Sequence, residues 1–244
     1  MRLGLNYRSK VRGVHPEWFA GYYPLDERDK DWANCYDWST QGNHGTYTGV
    51  KLREGMGADG TRNAPLFNET TSVIDLYSTG FIADASTTEF SVAGWCKVLD
   101  NSVWSDSTVR RILTIGATAT TNTIILEKTA TANTLRAAYI AGSTTSSVSP
   151  TVYESLDYHT QWFHFGMTVN ALDDAMIVYL NGVQTGTTQS TLGTWSGAIA
   201  TAICVIGAED TTVANPWKGW LQHVAVWNET LSAADFAYLY KTAG

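Results

Sequence analysis

Short runs that alternate apolar and polar residues recur along the chain from about residue 72 to residue 227. The run FSVAGWCKV (90–98) changes face at every position, and QWFHFGMTV (161–169) places Phe163 on one face and His164 on the other. A period of two residues is typical of a strand with one face in a core. The pattern therefore predicts an all-β fold.

Six further runs extend this prediction. They are RRILTIG (110–116), TIILEK (123–128), LRAAYIA (135–141), AMIVYL (175–180), AICVIG (202–207) and GWLQHVAVW (219–227). Asn181-Gly182 follows AMIVYL directly, and this dipeptide is a strong hairpin signal. Strands separated by short polar turns favour antiparallel sheets.

One helix is predicted, at the C-terminal end of the sequence. Ser232 and Asp235 stand three residues apart and form an approximate capping box. Phe236, Leu239 and Tyr240 follow at helical spacing, so one face of a short helix can lie on the sheets.

The length of 244 residues suits a single β-sandwich. No internal repeat is visible, and no linker is long enough to divide the chain. We therefore predict one sandwich domain over residues 20–244, preceded by a basic arm over residues 1–19.

The charge distribution sets this arm apart. The net charge is −7 and only 16% of the residues are charged, which gives no support for nucleic-acid binding. The first 14 residues nevertheless contain four cations and no acid: Arg2, Arg8, Lys10 and Arg12. A basic segment on an acidic chain predicts docking on an acidic partner, and the alternative is an ordinary solvated terminus.

The cysteines and the N-terminal sequence indicate the cellular compartment in which the chain folds. Cys35, Cys96 and Cys204 form no C-x-x-C pair, and the latter two lie in apolar runs that favour burial. No apolar segment typical of a secretion signal or a membrane span is present. We expect folding in a cytoplasm, without disulfides and without membrane insertion.

Several segments together resemble the laminin G-like, concanavalin A-like jelly-roll superfamily. They are GYYPLDE, DWSTQGNHGTYTG, EFSVAGWCKV, WFHFGMTVN, MIVYLNGVQTGT and KGWLQHVAVWNETLSAADFAYLY, within about residues 20–242. The resemblance implies two antiparallel sheets packed face to face, with the first and last strands adjacent. It also implies a module that binds carbohydrate or protein surfaces, often with a structural Ca²⁺, although some relatives are glycosidases.

The turn DWSTQGNHG (37–45) is the candidate metal site. Asp37 and Asn43 match the turn positions that stand near Ca²⁺ in calcium-holding relatives, and both supply the oxygen ligands that this ion prefers. The alternative is that Asp37 only accepts hydrogen bonds from its own turn. Both interpretations stay open at this point.

Three tryptophans in loop-like segments are the candidates for stacking on sugars. They are Trp38, Trp104 and Trp195, each with hydroxyl-bearing neighbours. A role in packing at the rim of the fold is the alternative for each. Other tryptophans lie within or beside predicted strands and are assigned to packing: Trp95, Trp162, Trp217, Trp220 and Trp227.

No catalytic pattern stands out. Glycoside hydrolysis needs two carboxylates on either side of the scissile bond, but TIILEK supplies Glu127 alone. No G-x-S-x-G motif is present, and no two histidines form an H-x-x-x-H or H-x-H pair, so zinc is poorly supported. We therefore predict a protein that is not an enzyme.

The lack of a secretion signal, in a family that is mostly extracellular, favours a virion protein that folds in the host cytoplasm. The leading hypothesis is a capsid or tail decoration protein on the virion surface, docked by its basic arm and adhering weakly to glycans or cell surfaces. A stand-alone lectin-like module and, less favoured, a glycoside hydrolase are the alternatives. Assembly into a homo-oligomer is left open.

Overall fold

The described part of the chain forms a sandwich of two antiparallel sheets of eight strands each. A computed structural model describes residues 3–27, 33–60, 63–68, 70–152 and 161–241, with residues 3–6 described by their backbone alone. Within these ranges the all-β, two-sheet prediction is confirmed.

The first sheet, sheet A, follows the order β14-β13-β12-β7-β16-β5-β4, and β1 also pairs with β16. Its strands are β1 (Phe19–Tyr23), β4 (Lys51–Gly55), β5 (Ala64–Phe67), β7 (Glu89–Val98), β12 (Phe163–Asn170), β13 (Ala175–Leu180), β14 (Val183–Gln189) and β16 (Gly219–Trp227). Because β1 lies beside β16, the expected neighbourhood of the first and last strands is confirmed.

The second sheet, sheet B, follows the order β11-β10-β9-β8-β15-β6-β3-β2. Its strands are β2 (Asn34–Cys35), β3 (Gly45–Thr48), β6 (Val73–Asp75), β8 (Arg110–Gly116), β9 (Thr123–Lys128), β10 (Leu135–Ala141), β11 (Thr144–Val148) and β15 (Cys204–Ile206).

The main core lies between the sheets. Alternate side chains of β7 and β12, such as Val92 and Phe165, point into it, as the period of two requires. The three cysteines are free and buried, and Cys96 and Cys204 are part of this core as predicted. Burial of such side chains stabilises the fold by roughly 1.5–3 kcal/mol each.

Helices cover part of the structure. They are α1 (Leu3–Arg12), α2 (Thr79–Asp84), α3 (Ser102–Ser105) and α4 (Ala233–Lys241), with a 3₁₀ turn at Pro16–Trp18. The predicted C-terminal helix is confirmed with its capping box, because Ser232 N donates to Asp235 Oδ2 (2.9 Å) and Asp235 N donates to Ser232 Oγ (3.2 Å). The prediction of a single helix was wrong. In the described part of the chain, no helix has the length and apolarity to cross a membrane.

A second hydrophobic cluster lies on the outer face of sheet A. Tyr7 and Val11 of α1 and Phe236 of α4 pack there against Trp95 and Trp227. The indole nitrogen of Trp95 donates to the Tyr7 hydroxyl over 2.7 Å. Residues 7–14 are therefore attached to the sandwich through buried contacts, and the segment is not a free arm.

Candidate functional site

The turn that follows β2 is held together by one carboxylate. Asp37 Oδ1 accepts from Tyr22 N and Ser39 N, and Oδ2 accepts from Ser39 Oγ and Asn43 N, all at 2.8 Å. Gly42 has a φ of 72°, which glycine adopts without strain. Each carboxylate oxygen thus has two donors from the protein.

Asn43 joins the same turn to its neighbours. Its Nδ2 donates to Ala20 O and to Asp84 Oδ2, both at 2.8 Å. Across the described ranges, no three His, Cys, Asp or Glu residues group as metal ligands. The geometry gives Asp37 and Asn43 a structural role in the turn, and the calcium site predicted for them stays a prediction.

Trp38 lies beside this turn and is 40% exposed. The guanidinium of Arg8 lies 4.4 Å from the centre of its ring, and the same guanidinium pairs with Asp26. Such a contact between a cation and a ring face is attractive. One side of Trp38 is therefore covered by α1, which reduces the area that a sugar could meet.

The predicted docking cations differ in their availability. Arg8 is engaged by Asp26 and Trp38, so its predicted role as a free docking group is corrected to an internal contact. Lys10 is partly exposed and Arg12 is exposed at the end of α1. Arg2 lies outside the described residues.

Trp104 is not a surface residue. It lies in α3, is only 2% exposed and meets Phe163 edge to face at 5.9 Å. A ring enclosed in the core cannot stack on a sugar, so the prediction for Trp104 was wrong. Trp217, assigned to packing, is fully buried as predicted.

Trp195 occupies the loop between β14 and β15 and is partly exposed. Its ring stacks on Tyr139 at 5.8 Å with an angle of 25° between the planes. Its indole nitrogen donates to Gly197 O over 3.0 Å. These contacts fix the orientation of the ring while part of it stays open to water.

Polar groups surround Trp195. Asn122 Oδ1 accepts from Gly142 N (2.8 Å) and Ser196 N (3.1 Å), and Asn122 Nδ2 donates to Ser196 Oγ (3.3 Å). The loops 117–122 and 193–197 contain no charged side chain and several threonines and serines. Hydroxyl and amide groups beside an aromatic ring are the usual composition of a neutral sugar site.

The Asp37 turn and Trp195 lie at the same end of the sandwich. Tyr139, which carries Trp195 on its ring, donates its hydroxyl hydrogen to Thr87 O over 2.8 Å. Asn43 Nδ2 donates to Asp84, the last residue of α2, three residues before Thr87. The two features thus contact one short segment of the chain, residues 84–87.

Glu127, the carboxylate of the run TIILEK, has a structural use. Glu127 is 1% exposed and pairs with Arg111 Nη1 (2.7 Å) and Arg136 Nε (2.6 Å). Both of its oxygens are engaged by guanidiniums in the interior, so neither oxygen faces a surface ligand. Glu127 therefore gives no support to hydrolysis.

The sequence did not reveal a buried polar chain under α1. Tyr22 Oη lies 2.9 Å from His223 Nδ1, and His223 Nε2 lies 3.2 Å from Asp59 Oδ2. Burial lowers the pKa of His223, although Asp59 opposes this effect, and burial lowers the pKa of His164 from 6.5 to about 3. All these groups are enclosed, so they stabilise the outer cluster and do not meet a ligand.

Two antiparallel sheets with adjacent terminal strands and a helix-covered outer face define a concanavalin A-like domain. The family profile described as the Concanavalin A-like lectin/glucanases superfamily, of laminin G type, matches residues 68–237. The chain belongs to this superfamily. A search of curated protein sequences found no match.

Solved structures with the same fold include three binding domains of botulinum neurotoxins. The receptor binding domain of the C/D mosaic serotype has a TM-score of 0.71 at 14% identity, over 93% of this chain and 51% of that one. The serotype D binding domain has a TM-score of 0.67 at 15% identity, over 93% of this chain and 52% of that one. The serotype G binding domain has a TM-score of 0.67 at 15% identity, over 91% of this chain and 50% of that one. The chain spans about half the length of these structures, and the low identity shows the fold alone.

Proposed function

We propose that the chain is a non-catalytic binding domain that recognises neutral carbohydrate at the end of the sandwich where Trp195 lies. The observation that carries the proposal is the ring of Trp195, stacked on Tyr139 and partly open, beside the amide of Asn122 and the hydroxyl of Ser196. A flat apolar ring suits the C–H face of a sugar, and the polar groups suit its hydroxyls.

The rigidity of this arrangement supports binding. Because Tyr139 and Gly197 already hold the indole in place, little side-chain freedom is lost when a ligand docks. The similar structures described as receptor binding domains agree with a binding role. The structural use of Glu127 agrees with the absence of hydrolysis.

The test is a glycan array followed by calorimetric titration of the glycan that scores highest. Trp195→Ala is expected to weaken binding by roughly tenfold or more, because the stacking surface is removed. Tyr238→Ala is the matched control, since Tyr238 is 46% exposed on α4. Trp38→Ala tests the remaining predicted sugar-binding residue. Unchanged binding in Trp195→Ala, or no glycan bound at all, contradicts the proposal.

We also propose that the protein lies on the surface of a virion, and this part of the proposal rests on the sequence. Lys10 and Arg12 are the remaining cations that would dock on an acidic capsid or tail protein, because both keep exposed surface at the end of α1. We expect the protein to be recovered with virus particles on a density gradient. In the variant with Lys10→Glu and Arg12→Glu, we expect this recovery with particles to be lost. Recovery only in the particle-free fraction contradicts the assignment.

A further inference from the structure

Two buried imidazoles lie in the outer cluster of sheet A, beneath its helices. The ring of Tyr7 in α1 meets the ring of His223 in β16 edge to face, with 4.4 Å between their centres. β7 separates β16 from β12, and Trp95 of β7 lies 5.1 Å from His164 of β12, measured between ring centres. His223 is 3% exposed and His164 is 2% exposed. The cluster therefore shields both imidazoles from water.

The two imidazoles differ in their partners. His223 Nδ1 lies 2.9 Å from Tyr22 Oη, and His223 Nε2 lies 3.2 Å from Asp59 Oδ2. His164 Nδ1 is buried and has no hydrogen-bond partner among the described residues. A charge on that ring needs water, because burial of an unhydrated charge is costly. Protonation of His164 is therefore coupled to opening of the cluster.

Helix α1 is the cover that can leave. Tyr7 and Val11 are its side chains in the cluster, and the Tyr7 hydroxyl accepts from Trp95 Nε1 over 2.7 Å. When α1 moves away, the His223 ring loses its cover and Trp95 loses its acceptor. The indole beside His164 is then no longer held in place, and water can enter.

The segment after α1 stays attached while the helix moves. Trp227 Nε1 donates to Val14 O over 3.0 Å, and His15 Nε2 lies 3.5 Å from Asp235 Oδ2 of α4. A proton on His15 strengthens this contact with Asp235, because the two groups then carry opposite charges. Gly13 lies between these anchors and α1, so we expect the pivot there.

Proton binding favours the open state. Burial, followed by the charge of His223, lowers the pKa of His164 from 6.5 to about 3. Burial also lowers the pKa of His223, although Asp59 acts in the opposite direction. An imidazole that water can reach returns to a pKa near 6.5. Opening therefore takes up protons below pH 6.5, and a falling pH shifts the equilibrium toward it.

The charged surroundings agree with this direction. Arg8 pairs with Asp26, and its positive charge opposes a proton on His223. The other titratable or charged groups near the imidazoles are Tyr7 and Arg12 of α1, Tyr22 of β1, Asp59 of the turn 57–60, Tyr179 of β13, and Asp235 and Tyr240 of α4. The pKa values of Tyr7, Tyr22 and Tyr179 are raised by burial, so these hydroxyls stay neutral in acid.

We propose that α1 is a lid that acid releases from sheet A when His164 and His223 bind protons. Its release exposes the aromatic outer face of the sheet around Trp95. The lid is independent of the proposed carbohydrate site, because Trp195 packs against the main core and not against the outer cluster.

The first test measures hydrogen exchange by NMR in the unaltered protein between pH 6.5 and pH 4.5. The probe is the indole N–H of Trp95, which is bonded to Tyr7 while the lid is closed. Each exchange rate is divided by the intrinsic rate at the same pH. A return of the His164 pKa from about 3 to 6.5 shifts the opening equilibrium roughly fiftyfold over this range.

We expect the protection of Trp95 Nε1 to fall by roughly tenfold to fiftyfold. It should also stay below the protection of the Ile124 amide, which lies in β9 between two neighbouring strands. Equal protection of these two groups at each pH would mean that only global unfolding exposes Trp95. Constant protection of Trp95 would mean that acid does not release α1. Either result overturns the proposal.

A variant then assigns the effect to the imidazole. His164→Gln removes the titrating ring and should remove most of the pH dependence of Trp95 protection. His44→Gln is the matched control, because His44 is exposed and lies outside the outer cluster. The pH dependence should be unchanged in this control. Full dependence in His164→Gln, or an equal loss in His44→Gln, overturns the role of the buried imidazoles.

Discussion

The Asp37 turn gives the sharpest prediction about stability. Asp37→Ala removes the acceptor of four hydrogen bonds, two of which come from the buried backbone groups Tyr22 N and Asn43 N. Leaving a buried donor without a partner costs about 1–3 kcal/mol. We therefore expect a loss of about 2–6 kcal/mol in the free energy of unfolding, measured by urea denaturation with circular dichroism in the presence of EDTA.

The control for this prediction is Asp210→Ala. Asp210 also accepts from its own turn, at Thr212 N (2.8 Å) and Thr212 Oγ1 (2.7 Å), where the bonds are exposed, and at Ala214 N over a long 3.3 Å. Water can replace the lost acceptor at Thr212, so the expected loss is roughly 1 kcal/mol or less. A loss in Asp37→Ala that is as small as in Asp210→Ala would show that the Asp37 carboxylate does not hold the turn together. The predicted calcium site has a separate readout: stabilisation of the wild type by Ca²⁺ that disappears in Asp37→Ala.

Three further predictions concern the outer cluster and the C-terminal helix. Because the pKa of His164 is lowered from 6.5 to about 3, below pH 6.5 the unfolded chain binds a proton that the folded chain does not. The contribution of His164 to stability is therefore complete above pH 6.5 and falls by about 1.4 kcal/mol per pH unit toward pH 3. His164→Gln should flatten urea-derived stability between pH 6 and pH 4, and an unchanged slope contradicts this. Tyr7→Ala should cost about 3–5 kcal/mol, since it empties a buried site and leaves Trp95 Nε1 without an acceptor; full thermal stability in this variant would show that α1 does not pack on sheet A. Ser232→Ala should lower the stability by about 1 kcal/mol, because the cap of α4 is lost. Thermal unfolding measures this loss, and an unchanged stability would contradict the prediction.

The long strands were predictable because each has one face in the core. β8, β9, β10, β13 and β16 begin and end at the residues that the alternation predicts. The short strands β2 to β6 were not separately predicted, because two to five residues give too few alternations for the period to be visible. Their place is set by pairing with distant strands, such as β6 with β15.

Helix α1 was missed although a signal was present. Tyr7 and Val11 of α1, and Val14 two residues beyond its end, follow the spacing of one helical face and are all buried. The cations between them drew attention to charge, and the segment was interpreted as an arm. Counting apolar positions at helical spacing would have found the buried face of this helix.

The candidate sugar-binding tryptophans also show what local sequence could and could not predict. Trp104 and Trp195 both stand among hydroxyl-bearing residues, yet α3 turns Trp104 into the core while Tyr139 holds Trp195 at the surface. Local sequence could not distinguish them, because the deciding contacts come from other strands. The contact of Tyr22 with His223 spans 201 positions, so no local pattern could reveal it.

The central claim is that carbohydrate binds where Trp195 lies. The most direct measurement is a titration of ¹⁵N-labelled protein with the best glycan from the array, following the Trp indole N–H and Asn side-chain amide resonances. We expect the signals of Trp195 Nε1 and Asn122 Nδ2 to move together and to saturate at the affinity measured by calorimetry. Shifts confined to Trp38, or to Trp162 and Trp220, with Trp195 unmoved, would contradict it.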